Sequence, residues 1–236
     1  MILARSLLYH ALYGIWAFLM SFAFLPSLIL PFWASDFIAR FWTRSVYWLL
    51  RVICGLTFRV EGMDTLPVGP VIVAAKHQSA WDTLFFPYQL EKSATILKRE
   101  LFWLPFFGWY AKKYGAIGID RRGGASAIRQ MIKDSRKAVL TGRSIIIFPE
   151  GTRTVPGEKG FYHSGVAALY NQLKLPVVPV ALNSGLYWPR RRLIRRPGVI
   201  TLRFLPPIPP GLSRRQFMAR LELEIETAQK EICNPK

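Results

Sequence analysis

The sequence predicts an α/β fold, a mostly parallel central sheet covered by helices, preceded by an N-terminal helical anchor that is first hydrophobic and then amphipathic. Three observations predict it. Residues 6–35 contain no Lys, Arg, Asp or Glu. After Gly55, short β-rich runs alternate with segments of helical periodicity, the pattern of parallel strands joined by crossover helices. Two of those apolar runs end directly on ionisable residues, and open α/β sheets bind their ligands at strand ends of that kind.

The anchor comes first. Trp16, Phe18, Phe22, Phe24, Phe32 and Trp33 fall inside the uncharged stretch. The part before Pro26 is long enough, at ~1.5 Å per helical residue, to span a hydrocarbon core of roughly 30 Å. Pro26 and Pro31 then interrupt the pattern, so a re-entrant hairpin is the alternative to a span. A cleaved signal peptide does not fit, because the apolar region is too long and bulky Phe32, Trp33 and Phe37 occupy positions that need small residues. In residues 37–54, Arg40, Arg44 and Arg51 fall within about 40° of one another on a helical wheel. Phe37, Phe41, Trp42, Trp48, Leu49 and Val52 cover much of the rest. This predicts a helix lying in the membrane interface with a cationic stripe toward water or phosphate. Residues 1–54 are therefore expected to be membrane-anchoring helices and 55–236 an α/β domain. More Arg follows the apolar run than precedes it, which would leave that domain in the cytoplasm.

Composition agrees. The 236 residues are 51% hydrophobic yet carry a formal net charge of +18. A protein embedded in a bilayer and facing anionic phospholipid headgroups accounts for both excesses, whereas nucleic acid accounts only for the charge. Cys54 and Cys233 stand far apart and in no metal-binding spacing, so neither a disulfide framework nor a metal site is expected, and a reducing compartment fits.

The remaining elements follow in order. Residues 57–60, 71–75, 144–148, 177–181 and 199–204 read as strands. Ile128, Met131, Ile132, Ala138 and Val139 recur at helical spacing with Gly142 as a stop, and Met218, Leu221, Ile225, Ala228 and Ile232 do the same after Ser213.

The chemistry gathers at strand ends. His77 follows the apolar run 71–75, and Asp82 stands five positions later. A carboxylate there can hold one ring nitrogen as a donor and leave the other free to take a proton. Phe148-Pro149-Glu150-Gly151-Thr152-Arg153 follows the next such run, its Pro and Gly turning the chain so that Glu150 and Arg153 reach the same sheet edge as His77. An Arg fork suits a phosphate oxyanion. The block 115–121 again ends an apolar run with an arginine, Arg121.

These motifs resemble those of the glycerolipid acyltransferases. Residues 77–82 match the family's H-x4-D motif, 148–153 its F-P-E-G-T-R motif, 115–121 its G-x-x-x-I-x-R block and 178–180 its V-P-V-type block, in the same order and over about residues 60–183. Within the family, the chain most resembles bacterial enzymes that acylate 1-acyl-glycerol-3-phosphate (lysophosphatidic acid). The resemblance implies His77 as general base and Asp82 as its partner. Arg153 and Glu150 would bind the glycerol phosphate, Gly151 and Thr152 would shape the loop, and Arg121 and Lys98 would be further phosphate contacts. It also implies a bacterial inner-membrane enzyme facing the cytoplasm that uses acyl-CoA or acyl carrier protein as co-substrate, with no further cofactor. The family pattern commonly has Asn before the histidine, where this chain has Lys76, and a larger apolar residue at Gly118. A lysophospholipid or a lyso-ornithine lipid is the alternative acceptor. The alternative of another class is a non-catalytic basic protein binding membrane or nucleic acid, which the His-Asp pair and the Arg-bearing turn argue against. No G-x-S-x-G elbow occurs and neither cysteine lies near the motifs, so acyl transfer is expected to be direct, without an acyl-enzyme.

Two histidines are read as bystanders: His163, with only a loose serine neighbour, is structural, and His10 is interfacial or packed within the anchor. The aromatic run 101–110 reads equally as a core helix or as the wall of an acyl-chain path. Residues 159–221 contain no acidic residue, and five arginines cluster at 190–196, which suits anionic lipid or an acidic donor.

Overall fold

The computed structural model describes residues 1–90 and 92–233, so residues 234–236 of the expected α/β domain lie outside the described residues. Helix α1 (Ile2–Ala23) runs to a 3-10 turn at Leu25–Leu28, and Pro31 opens α2 (Phe32–Leu49). Proline at a helix start keeps its preset φ and loses no hydrogen bond. The two helices fold back on each other: Arg5 donates to the Ile53 carbonyl, the Trp16 indole donates to Ser45 at 2.6 Å and Phe24 meets Phe41. The hairpin reading is the one the structure adopts for the chain path. Exposed Leu7, Phe18, Trp33 and Phe37 line its outer face.

The hairpin is not a separate body. Tyr9, Val46, Leu50 and Cys54 are buried in one core with Val73, Trp81, Phe85 and Ile146. The cationic stripe of α2 also differs from expectation. Arg40 turns inward, pairing with Asp36 at 2.8 Å and donating to the Tyr88 carbonyl at 2.9 Å, while Arg44 and Arg51 remain exposed. A half-buried guanidinium is satisfied where planar acceptors converge, and helix α3 (Trp81–Gln89) supplies that acceptor only in the folded chain.

Seven strands form the sheet: β1 (Leu56–Glu61), β2 (Ile72–Ala75), β3 (Ser93–Lys98), β4 (Ile117–Ile119), β5 (Ser144–Ile147), β6 (Val177–Leu182) and β7 (Gly198–Phe204). Their order is β1-β7-β6-β2-β5-β3-β4. The run from β6 to β4 is parallel throughout, and β7 joins β6 antiparallel while pairing parallel with β1. The fold class is as expected, with β3 and β4 added to the five strands read from the sequence. Every residue of β2 and β6 is buried, because both faces of the central strands are covered. Val73 and Ala75 face the core beneath the hairpin and α3 (Trp81–Gln89), while Ile72 and Ala74 face the opposite core. The period of two decides which is which.

That second core is closed by α5 (Gly124–Leu140) and α8 (Arg214–Cys233), each supplying the expected apolar face, and by α6 (Gly165–Leu173), which is not among the helices expected from the sequence. Ser213 caps α8, its hydroxyl accepting from the Gln216 N–H while the Gln216 side chain accepts from Ser213, a reciprocal capping box. Helix α4 (Phe107–Lys113) and the 3-10 turn before it are not core: Trp103 is 80% exposed and Phe107 51%. They rest on the hairpin's tip, where Phe106 meets Phe22 and the Tyr110 hydroxyl donates to the Ser21 carbonyl at 2.8 Å. Helix α7 (Ser184–Tyr187) completes the chain's helices among the described residues.

Candidate active site

The parallel run from β6 to β4 places the carboxyl ends of β2, β5 and β4 on one sheet edge, and the expected residues collect there. His77 leaves β2 and Asp82 lies in the first turn of α3. Helix propagation after Ala80 brings the carboxylate back over the loop it left. One oxygen of Asp82, Oδ2, accepts from His77 Nδ1 at 2.9 Å and from the main-chain N–H groups of Gln78 at 2.7 Å and Ser79 at 2.8 Å. The other accepts from the Ser184 hydroxyl at 2.5 Å. The carboxylate is fully buried, and both of its oxygens are met by donors. With Nδ1 engaged, Nε2 is the imidazole atom left for chemistry. Phe148 stacks on the ring with centroids 4.1 Å apart, so the F-P-E-G-T-R segment also fixes the plane of the base.

His77 opens on a cavity of about 1140 Å³ between the hairpin and the sheet edge. Lys98, Arg121, Gly151, Thr152 and Arg153 line it too. The structure thus brings together six of the eight expected residues, with Asp82 directly behind. Burial lowers the Arg153 guanidinium from its ordinary value; Asp82 raises it and Arg190 lowers it further. Burial lowers Arg121 in the same sense, with Glu100 opposing. Two arginines that have lost part of their hydration gain from an anion placed between them. Gly151 sits at φ +62°, a left-handed conformation that glycine adopts freely, and a Cβ there would lie 3.2 Å from the His163 ring.

Glu150 is the exception. Its side chain does not reach the cavity: it is 2% exposed and turns inward to Lys76 at 2.8 Å, accepting the His77 N–H at 3.0 Å. A buried carboxylate requires a cation and donors, and both lie beneath the loop. Its expected contact with substrate is thereby corrected to a contact with the loop that carries His77.

Sequence reasoning missed three contributors. His163, read as structural, presents its ring to the cavity beside Gly151 and Arg121. Ser184, which holds Asp82, lies 102 positions downstream and carries no local signal. Arg190, assigned to a surface or lipid patch, donates to the Arg153 carbonyl at 2.8 Å and lines the cavity with Arg191. Arg195 of the same cluster is buried over the Trp188 ring, 4.2 Å from its centroid, and its main-chain N–H donates to Ser6 of α1 at 2.8 Å. His10 likewise reaches the Leu193 carbonyl at 2.9 Å. The arginine cluster is thus partly a seam between hairpin and domain.

Away from this cationic end the cavity is walled by apolar side chains of the hairpin and of 101–114, including Met20, Phe24, Trp42, Leu101, Phe106 and Tyr110. A charged end with a base and a long apolar wall matches an amphiphile with an anionic headgroup. Neither free cysteine lines it.

Residues 57–183 match the family model described as acyltransferase. Over 200 residues the chain is 38% identical to the 1-acyl-sn-glycerol-3-phosphate acyltransferase of Pseudomonas aeruginosa, an alignment covering 83% of this chain and 77% of that protein. It is 31% identical over 175 residues to the 1-acyl-sn-glycerol-3-phosphate acyltransferase of Saccharomyces cerevisiae, covering 70% of this chain and 56% of that one. The fold is similar to the crystal structure of the 1-acyl-sn-glycerophosphate (LPA) acyltransferase PlsC from Thermotoga maritima, with a TM-score of 0.78, 22% identity and coverage of 100% and 97% of the two chains. At that identity the likeness concerns architecture alone. With a histidine-aspartate pair facing an arginine-lined amphiphilic cavity and this degree of identity to proteins so named, the chain belongs to the acyltransferase family and is an O-acyltransferase.

Proposed function

We propose that the protein transfers a fatty acyl group from an acyl thioester to the sn-2 hydroxyl of 1-acyl-glycerol-3-phosphate, giving phosphatidic acid. The observation that carries the reading is the convergence of His77, backed by Asp82, with Arg121 and Arg153 on one cavity whose far walls are apolar. His77 Nε2 takes the proton of the acceptor hydroxyl as the oxygen attacks the thioester carbonyl. The tetrahedral adduct then expels the thiolate, which recovers the proton from the imidazolium. General-base help of this kind contributes ~10²–10⁴ in rate. Holding the two substrates together contributes the larger part, roughly 7–11 kcal/mol at best.

Arg153 and Arg121 bind the acceptor's phosphate, with Lys98 a further cation on the same wall. Expected result: Arg153→Ala raises the acceptor KM by about 10–10²-fold, the loss of a charge-assisted contact, with kcat changed far less. The assay pairs lysophosphatidic acid, a neutral-headgroup lysophospholipid and a lyso-ornithine lipid with acyl-CoA and acyl carrier protein donors. An unchanged KM for lysophosphatidic acid in the Arg153→Ala protein, or preference for an acceptor lacking the phosphate monoester, would defeat the acceptor assignment.

The same reading places the protein on the cytoplasmic face of a bacterial inner membrane, anchored through the hairpin. α1 supports this: it is long and apolar enough to cross, only 11% of its most apolar window is buried, and its N-terminal end is tied to the α/β domain rather than free. The exposed rings of Trp33, Phe37 and Trp103 would enter the acyl region. Trp33→Asp together with Phe37→Asp is expected to cut partitioning onto anionic phospholipid vesicles by at least about 10-fold, since each buried large apolar side chain is worth ~1.5–3 kcal/mol. Vesicle flotation measures it, and undiminished flotation would remove the hairpin from the membrane contact.

A further inference from the structure

Behind the base lies a buried charged cluster that the acyl-transfer step does not use. The Lys76 side chain, at the end of β2, is fully buried. Its Nζ lies 2.8 Å from Glu150 Oε1 and donates to Glu226 Oε1 at 2.6 Å and to the Glu158 carbonyl at 3.3 Å. Glu226 projects from α8, and the same oxygen accepts from the Tyr162 hydroxyl at 3.0 Å. Glu150 Oε2 accepts the main-chain N–H of His77 at 3.0 Å. On the other side, the His77 carbonyl accepts the Thr154 N–H at 2.8 Å and its hydroxyl at 3.1 Å. The main chain of His77 is therefore gripped at both ends by the loop after β5, and Lys76 secures the acidic arm of that grip. The chain passes close over the arm: a Cβ on Gly160 would lie 2.6 Å from Glu150 Oε1. Burial favours the neutral form of Glu150, and Lys76 opposes it.

We infer that Lys76, Glu150 and Glu226 act as a positioning triad, through which the C-terminal helix holds the main chain of His77 in register with the cavity; Glu150 serves the histidine and not the substrate. The inference rests on His77 being the base. All three residues are positioning residues, since none touches a reacting atom. They act by fixing distances, where misplacement of the order of 1 Å costs about 10²-fold in rate.

The test is steady-state kinetics on four variants in vesicles, with thermal unfolding and hydrogen exchange of the 76–82 peptide. Lys76→Met is expected to lower kcat about 10²-fold and Glu226→Gln about 10-fold, both with acceptor KM within about twofold of wild type. Exchange at 76–82 should rise in both. Adding Glu226→Gln to Lys76→Met removes one of two carboxylates left without a cation and should recover part of the lost kcat. Glu150→Gln should lower kcat with an unchanged KM. Glu226 keeps 17% of its side chain exposed and its amide replacement can still bond Tyr162, so this variant alone decides the matter should Lys76→Met fail to unfold cooperatively. A Glu150→Gln protein with raised acceptor KM and normal kcat would return Glu150 to the substrate and overturn the inference. Wild-type kcat in Glu226→Gln would do the same. His77→Ala in the same assay separates the two failures: if it is inactive while the triad variants match wild type, only the triad falls, and if it retains full turnover both readings fall.

Discussion

His77→Ala is expected to abolish measurable acyl transfer, a loss of at least about 10²–10⁴ in kcat, while leaving the fold in place. The structure gives reasons for both halves. The loop is held by main-chain bonds that alanine retains: Glu150 on the His77 N–H, Thr154 on its carbonyl, and Asp82 on the N–H groups of Gln78 and Ser79. What is lost is the imidazole, stacked on Phe148 and largely buried with 12% of its surface exposed. Among the described residues, no other imidazole is hydrogen-bonded to a buried carboxylate. Thioester consumption measured with saturating lysophosphatidic acid, beside a thermal unfolding curve, checks the expectation. Turnover equal to wild type with an intact melt would end the assignment of the base.

Asp82 carries the second large effect, and two substitutions divide its roles. In Asp82→Asn the amide oxygen can take the place of Oδ2 and keep its three N–H donors, while the NH2 group faces Ser184, whose hydroxyl oxygen can accept. The loop survives, and the negative charge that stabilises the imidazolium does not. A fall in kcat of about 10³–10⁴ with little change in unfolding temperature is expected, by the logic of other carboxylate-histidine pairs. Asp82→Ala removes the acceptor as well, leaving buried main-chain donors unmet at about 1–3 kcal/mol each, so the melt should fall along with the rate. If Asp82→Asn kept most of its activity, the carboxylate would be only a structural anchor for the 76–82 loop.

Much of this site was legible because its chemistry is local. His77 and Asp82 are five positions apart, and a strand end followed at once by a helix start leaves them little choice but to meet. The Pro-Glu-Gly turn after β5 likewise declares a reversal at a strand end. The apolar faces of α5 and α8 follow from the period of the helix, which a single segment displays. β3 escaped for the opposite reason. Ser93-Ala94-Thr95-Ile96-Leu97-Lys98 alternates over only four residues and is flanked by charge, and it is a strand because β5 and β4, from elsewhere in the chain, complete its hydrogen bonds on both edges.

By itself the sequence determined that an α/β sheet follows an apolar N-terminal segment, and that an imidazole-carboxylate pair and an arginine turn stand at strand ends. The tertiary structure alone decided where the ambiguous charges go. Glu150 and Arg153 belong to one hexapeptide, yet one turns under the sheet edge and the other into the cavity. Arg40 faces α3 instead of lipid, and Arg195 is buried in a seam with α1. The physical reason is common to all. A charged side chain goes where desolvation is repaid by a partner, and here the partner of Lys76 stands 150 positions away, beyond the reach of any local pattern.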